Sequence, residues 1–149
     1  MKKRLLSICV AIVLGLVPTL ACAAPANDTA MAHITAIAID DVDAIIASYM
    51  PESEIEWIGG PLDGTYRGVA LIKALWTKYN GIHGSQKVLI EDMAEYLNPN
   101  GSTVNANLVF TDAKGETRVH LVQVYRAVKL IREIWQIVPP PKDGSQPKS

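Results

Sequence analysis

Cysteine is nearly absent from the 149 residues: Cys9 and Cys22 are the two that occur, and both lie close to the N-terminus. Charge is also sparse, at 19% of residues, and almost balanced, with 14 Lys and Arg against 15 Asp and Glu. A net charge of −1 offers no basic field for nucleic acid. No apolar run reaches the roughly 20 residues that span a bilayer. No phosphate-binding glycine loop is present, because Gly59-Gly60 lacks the flanking spacing. No Ser-His-Asp order appears, and His33, His83 and His120 share no ligand spacing, so neither a metal nor another cofactor is expected. What is abundant is apolar: 49% of residues, with mean hydropathy +0.16, which excludes disorder and suits one globular domain.

The N-terminus reads as a secretory leader. Lys2, Lys3 and Arg4 precede an apolar run from Leu5 to Val17, and small residues follow at Ala21, Ala23, Ala24 and Ala26. The reading assigns residues 1–23 to the signal peptide, with cleavage after Ala23 preferred over cleavage after Ala26. Lipidation at Cys22 is disfavoured, since Thr19-Leu20-Ala21 does not resemble the usual Leu-Ala-Gly approach to a lipoprotein cysteine. Cleavage removes both cysteines and three positive charges, so thiol catalysis and disulfides drop out. The expected location is the periplasm or the exterior, with no membrane span in the mature chain.

Along the mature chain, Ile34, Ile37, Ala38, Val42, Ile45, Ile46 and Tyr49 recur at helical steps, predicting a helix from Asn27 to Met50 that Pro51 stops. Glu54-Ile55-Glu56-Trp57-Ile58 alternates as a short strand whose glutamates face solvent. A turn-rich loop follows, then a second amphipathic helix carrying Val69, Ile72, Leu75, Trp76 and Tyr79, with Asn80-Gly81 as its C-cap. Lys87–Leu97, Thr103–Thr111 and Thr117–Arg126 read as strands joined at Asn98-Pro99-Asn100-Gly101 and Asp112-Ala113-Lys114-Gly115. Periodicity alone leaves Ala127–Val138 between a helix with a polar face and a strand rich in β-branched residues. The segment 139–149, beginning Pro139-Pro140-Pro141, is expected to be a disordered tail.

This order is that of an α+β domain. Asp43-Ala44-Ile45-Ile46-Ala47-Ser48-Tyr49 with Glu56-Trp57-Ile58, and Tyr66-Arg67-Gly68-Val69-Ala70-Leu71-Ile72, resemble the opening of SnoaL-like proteins in the nuclear transport factor 2 (NTF2-like) superfamily. Val124-Tyr125-Arg126 and Leu130-Ile131-Arg132-Glu133-Ile134-Trp135-Gln136 resemble that family's closing hairpin, although Ala127-Val128-Lys129 lacks its usual glycine. The resemblance spans about 27–138 and implies a cone: a strongly curved antiparallel sheet wrapping two or three N-terminal helices around an apolar cavity. It makes the last segment a strand. It also implies that an enzyme of this kind would place an Asp, Glu or His inside the cone for proton transfer.

Register decides which groups enter the cone. If Asp112 pairs with Gly115 across a two-residue loop, Asn107 faces His120 and Leu108 faces Val119. The apolar residues then share one face with Gln123 and Tyr125, and His120 lies outside. A three-residue loop with a glycine bulge would bring His120 inward. Glu91 and Asp92 are neighbours, so one of them enters the cone unless a bulge intervenes. Asp63 either reaches the cone mouth or serves simple turn chemistry. Asp92, His120 and Asp63 are therefore the acid–base candidates. Trp57, Tyr66, Trp76, Tyr79, Gln123, Tyr125 and Trp135 are the candidate ligand-binding residues, since aromatic rings with polar tips suit a flat, mostly apolar molecule.

The leading reading is an exported domain that binds a small hydrophobic or aromatic molecule. The alternatives are a proton-transfer enzyme (isomerase, dehydratase or cyclase-like) and a homodimer formed through the outer sheet face. Expressed with its own leader in a Gram-negative host, the chain should be recovered from the periplasm beginning at Ala24 or Asn27. N-terminal mass spectrometry showing an intact Met1 or a lipidated Cys22 would contradict this.

Overall fold

The structure is a computed structural model, and it describes residues 26–139. The leader, Cys22 and the tail beyond Pro139 lie outside the described residues. Three helices and six strands follow in the order α1 (Ala26–Ala38), α2 (Val42–Ala47), β1 (Tyr49–Ile58), β2 (Gly64–Arg67), α3 (Val69–His83), β3 (Lys87–Asn98), β4 (Gly101–Asp112), β5 (Gly115–Arg126) and β6 (Lys129–Val138).

The single helix expected from Asn27 to Met50 is broken. Asp40 takes a left-handed φ of 66°, and the Asp41 side chain accepts from the Ala44 amide at 2.9 Å, capping a new short helix. Tyr49 therefore opens β1, and the strand expected at 54–58 is twice as long. The short strand β2 was not expected from the sequence. It pairs with β1 through Ile55 and Tyr66. Helix α3 also runs past Asn80-Gly81: its C-cap is Gly84, at φ 65°, whose amide donates to the Asn80 carbonyl at 2.6 Å.

The strands form one sheet in the order β2-β1-β6-β5-β4-β3. The sheet is mixed rather than antiparallel throughout, because β1 runs parallel to β6, Trp57 lying beside Trp135. The β4–β5 hairpin takes the two-residue loop: Asp112 pairs with Gly115, Asn107 with His120 and Leu108 with Val119. The β5–β6 turn places Ala127 at φ 52°, a left-handed conformation that a glycine would adopt without strain. Gly101 is required by space as well as by φ, since a Cβ there would stand 2.3 Å from the Tyr125 carbonyl oxygen.

The curved sheet buries its concave face against the helices. Alternation supplies that face: Val104, Ala106, Leu108 and Phe110 from β4, and Val119, Leu121 and Tyr125 from β5. Helix stripes close it with Ile34, Ile37, Ile72, Leu75 and Trp76. Trp57 stacks on Trp135 at 5.2 Å between ring centroids, and Trp76 meets Trp135 edge-on at 5.1 Å. The interior of the cone is thus largely filled by its own aromatic side chains.

Candidate functional site

Two environments lie inside the cone, one polar and closed, the other apolar and reaching the surface. The polar one centres on Glu133, which β6 carries into the interior with no exposure to solvent. Its carboxylate accepts from the Tyr49 hydroxyl and, at 3.0 Å, from the Gln123 amide. His33 Nε2 stands 3.4 Å from the same carboxylate. The Trp76 indole N–H donates to the Tyr49 oxygen at 3.1 Å, and the Tyr125 hydroxyl donates to Gln123 Oε1 at 3.0 Å. Burial, followed by the adjacent carboxylate, raises the Tyr49 pKa well above its usual value, so the phenol keeps its proton and donates it. Burial raises Tyr125 in the same direction. His33 Nδ1 is buried without a partner among the described residues.

The apolar environment is a cavity of about 240 Å³ at the cone's mouth, bordered by Trp57, Leu62, Tyr79, Ile82, His83 and Ile137, with Thr117 at its edge. The loop after β1 shapes one wall. Gly59 adopts φ 90°, its carbonyl accepts from the Trp57 indole at 3.1 Å, and its amide donates to Asp63 at 2.6 Å. The Tyr79 hydroxyl donates away from the cavity, to Gln86 at 2.9 Å. His83 lies in the last turn of α3, where its Nδ1 is 2.7 Å from Asp112 Oδ2. A wider hollow of about 600 Å³ borders Glu54, Arg67 and Arg132, but both guanidinium groups are engaged by the Glu54 carboxylate. Those contacts, first from Arg67 and then from Arg132, lower the Glu54 pKa, and they leave Glu54 sheltered rather than freely solvated as expected.

The sequence candidates separate accordingly. His120 lies on the outer face, hydrogen-bonded to Asn107 at 2.9 Å. Asp92 does not enter the cone: a bulge between Ile90 and Asp92 leaves both Glu91 and Asp92 exposed. Asp63 holds the Gly59 amide, which is the turn role. Tyr66 donates to the Leu62 carbonyl at 2.8 Å, behind the loop. Trp57 and Tyr79 border the cavity. Trp76, Gln123 and Tyr125 belong to the polar interior, and Trp135 to the aromatic stack.

Sequence reasoning missed Glu133, His33, Tyr49 and the His83–Asp112 pair. Two of these had a signal. Glu133 has the same strand parity as Trp135, and His33 falls on the stripe of Ala30 and Ile37. Among the described residues no cluster of three or more His, Cys, Asp or Glu could hold a metal, and no helix is long and apolar enough to cross a membrane.

Helices clasped by a curved sheet around such an interior give this chain the cone fold that solved NTF2-like and cystatin-like proteins share. A cystatin-like protein of unknown function from Nostoc punctiforme superposes with a TM-score of 0.65 at 10% identity, over 78% of this chain and 90% of that one. An NTF2-like protein of unknown function from Pseudomonas putida gives 0.65 at 15% identity, over 80% and 88%. A ketosteroid isomerase-like protein from Erwinia carotovora atroseptica gives 0.62 at 16% identity, over 79% and 97%. The likeness is one of fold. By sequence, no family model matches the chain and neither does any curated protein.

Removing the central carboxylate should leave the Tyr49, Gln123 and His33 donors unsatisfied. Glu133→Ala should therefore destabilise the mature domain by roughly 3–5 kcal/mol, and Glu133→Gln, which keeps an acceptor, by clearly less. Urea denaturation measures both. A loss under ~1 kcal/mol for the alanine variant would show that the carboxylate is not the centre of the network.

Proposed function

We propose that the exported, mature chain binds a small, flat, mostly apolar molecule at the mouth of its cone. The observation that supports this is the cavity of about 240 Å³ whose walls are rings and aliphatic side chains from β1, the following loop, α3 and β6. Its volume suits a molecule of one or two fused rings. Apolar concave sites with few polar groups are the usual form of small-molecule sites. The polar interior has a different role in this reading. Tyr125 and Gln123 face inward, yet the Tyr125 hydroxyl is engaged by Gln123 and Gln123 by Glu133, which leaves them little to offer a ligand. The ketosteroid isomerase-like neighbour shares the fold, and a fold alone does not carry an activity.

Binding of 2-methylnaphthalene, followed by its own fluorescence, tests the reading. Thr117→Phe fills the cavity from its edge without touching the polar network. It should weaken binding about tenfold or more, equivalent to ~1.4 kcal/mol. Tyr125→Phe should leave affinity unchanged. Weakening by Tyr125→Phe with no effect of Thr117→Phe would place the ligand in the polar interior and overturn the proposal.

A further inference from the structure

We infer that the cavity takes hydroxyl-bearing aromatic molecules of the phenol class, whose O–H donates to His83 Nε2 with Asp112 holding the imidazole from behind. The inference rests on the cavity being a ligand site; of its two titratable lining groups, Tyr79 is engaged by Gln86, which leaves His83 to meet a ligand. His83 borders the cavity, and its Nδ1 lies 2.7 Å from Asp112 Oδ2. The Asp112 carboxyl is held below its usual pKa, chiefly by His83 and then by the Lys114 amide, so it is an acceptor and Nδ1 must carry the proton. In the neutral form of the ring Nε2 then presents the lone pair, and among the described residues no hydrogen bond engages it.

Asp112 is itself fixed, because its other oxygen accepts from the Lys114 and Gly115 amides at 2.7 and 3.2 Å. The Tyr79 ring lies 4.6 Å from the imidazole, centroid to centroid, and limits its rotation. A rigid acceptor at one end of an apolar cavity selects a ligand with one donor at one end of an apolar body.

The charge balance favours a neutral O–H over a carboxylate. Asp112 is already anionic; of the nearby cations, Lys114 donates its ammonium to the Ile82 carbonyl and Lys87 lies beside Asp112 on a separate surface hollow. With an acidic phenol the hydrogen bond can go to completion. The O–H bond breaks, its electron pair stays on the ligand oxygen, and the proton forms the second N–H of His83. The imidazolium so formed is held by Asp112 and by the C-terminal end of α3.

p-Nitrophenol and p-nitroanisole, titrated against the mature protein, separate this claim from the one it rests on. The expected result is that p-nitrophenol binds about tenfold tighter than its methyl ether, with its absorption moved toward the phenolate band. His83→Phe, which keeps a ring in the wall, should abolish both the preference and the band shift while p-nitroanisole still binds. Asp112→Asn should reduce the preference without loss of the ether. Equal binding of the two probes to the unaltered protein, without a band shift, would overturn the role of His83 and leave the apolar cavity standing. Binding of neither probe would overturn both.

Discussion

A carboxylate enclosed in an aromatic interior constrains the rest of this structure. Glu133 has no solvent to satisfy it, so the protein must supply donors, and an unsatisfied buried charge would cost several kcal/mol. The donors come from separate elements: Tyr49 at the start of β1, Gln123 from β5 and His33 from α1, with Trp76 of α3 supporting the Tyr49 oxygen. Each bond fixes one element against β6. The network therefore positions the helices on the sheet as well as satisfying the charge, and its geometry depends on β1 starting at Tyr49 rather than continuing as helix.

Closure of that half of the cone has a consequence for the other half. The polar tips of Tyr49, Trp76, Gln123 and Tyr125 all face partners within the protein. At the mouth, Trp57, Tyr79 and Ile137 give the cavity apolar walls and His83 gives it an imidazole. The mouth can vary in what it admits without disturbing the buried charge, because the Trp57–Trp135 stack separates the two environments.

Much of the sheet was legible in the sequence. The register of the β4–β5 hairpin followed from collecting Val104, Leu108, Phe110, Val119 and Leu121 on one face, which put His120 outside and Gln123 and Tyr125 inside. The break at Asp40-Asp41 was hidden because the apolar stripe continues across it at helical spacing into Tyr49, and only the cap and the left-handed Asp40 reveal the interruption. The bulge at Asp92 had no local signal. Glu133 was obscured differently: beside Arg132 it looks like part of a polar helix face, and its inward position follows only once Ala127–Val138 is a strand with Trp135 facing in. The His83–Asp112 pair depends on α3 running to His83, beyond the glycine that promised an earlier end.

The cone holds a polar interior around Glu133 and an apolar cavity at its mouth, and one titration tests whether a ligand enters that cavity. In ¹⁵N-resolved NMR spectra of the mature chain with added 2-methylnaphthalene, the Trp57 indole N–H and the Ile82 and Ile137 amides should move together. The Gln123 side-chain amide, bonded to Glu133, should stay in place. Movement of the Gln123 amide while Trp57, Ile82 and Ile137 remain still would contradict the account.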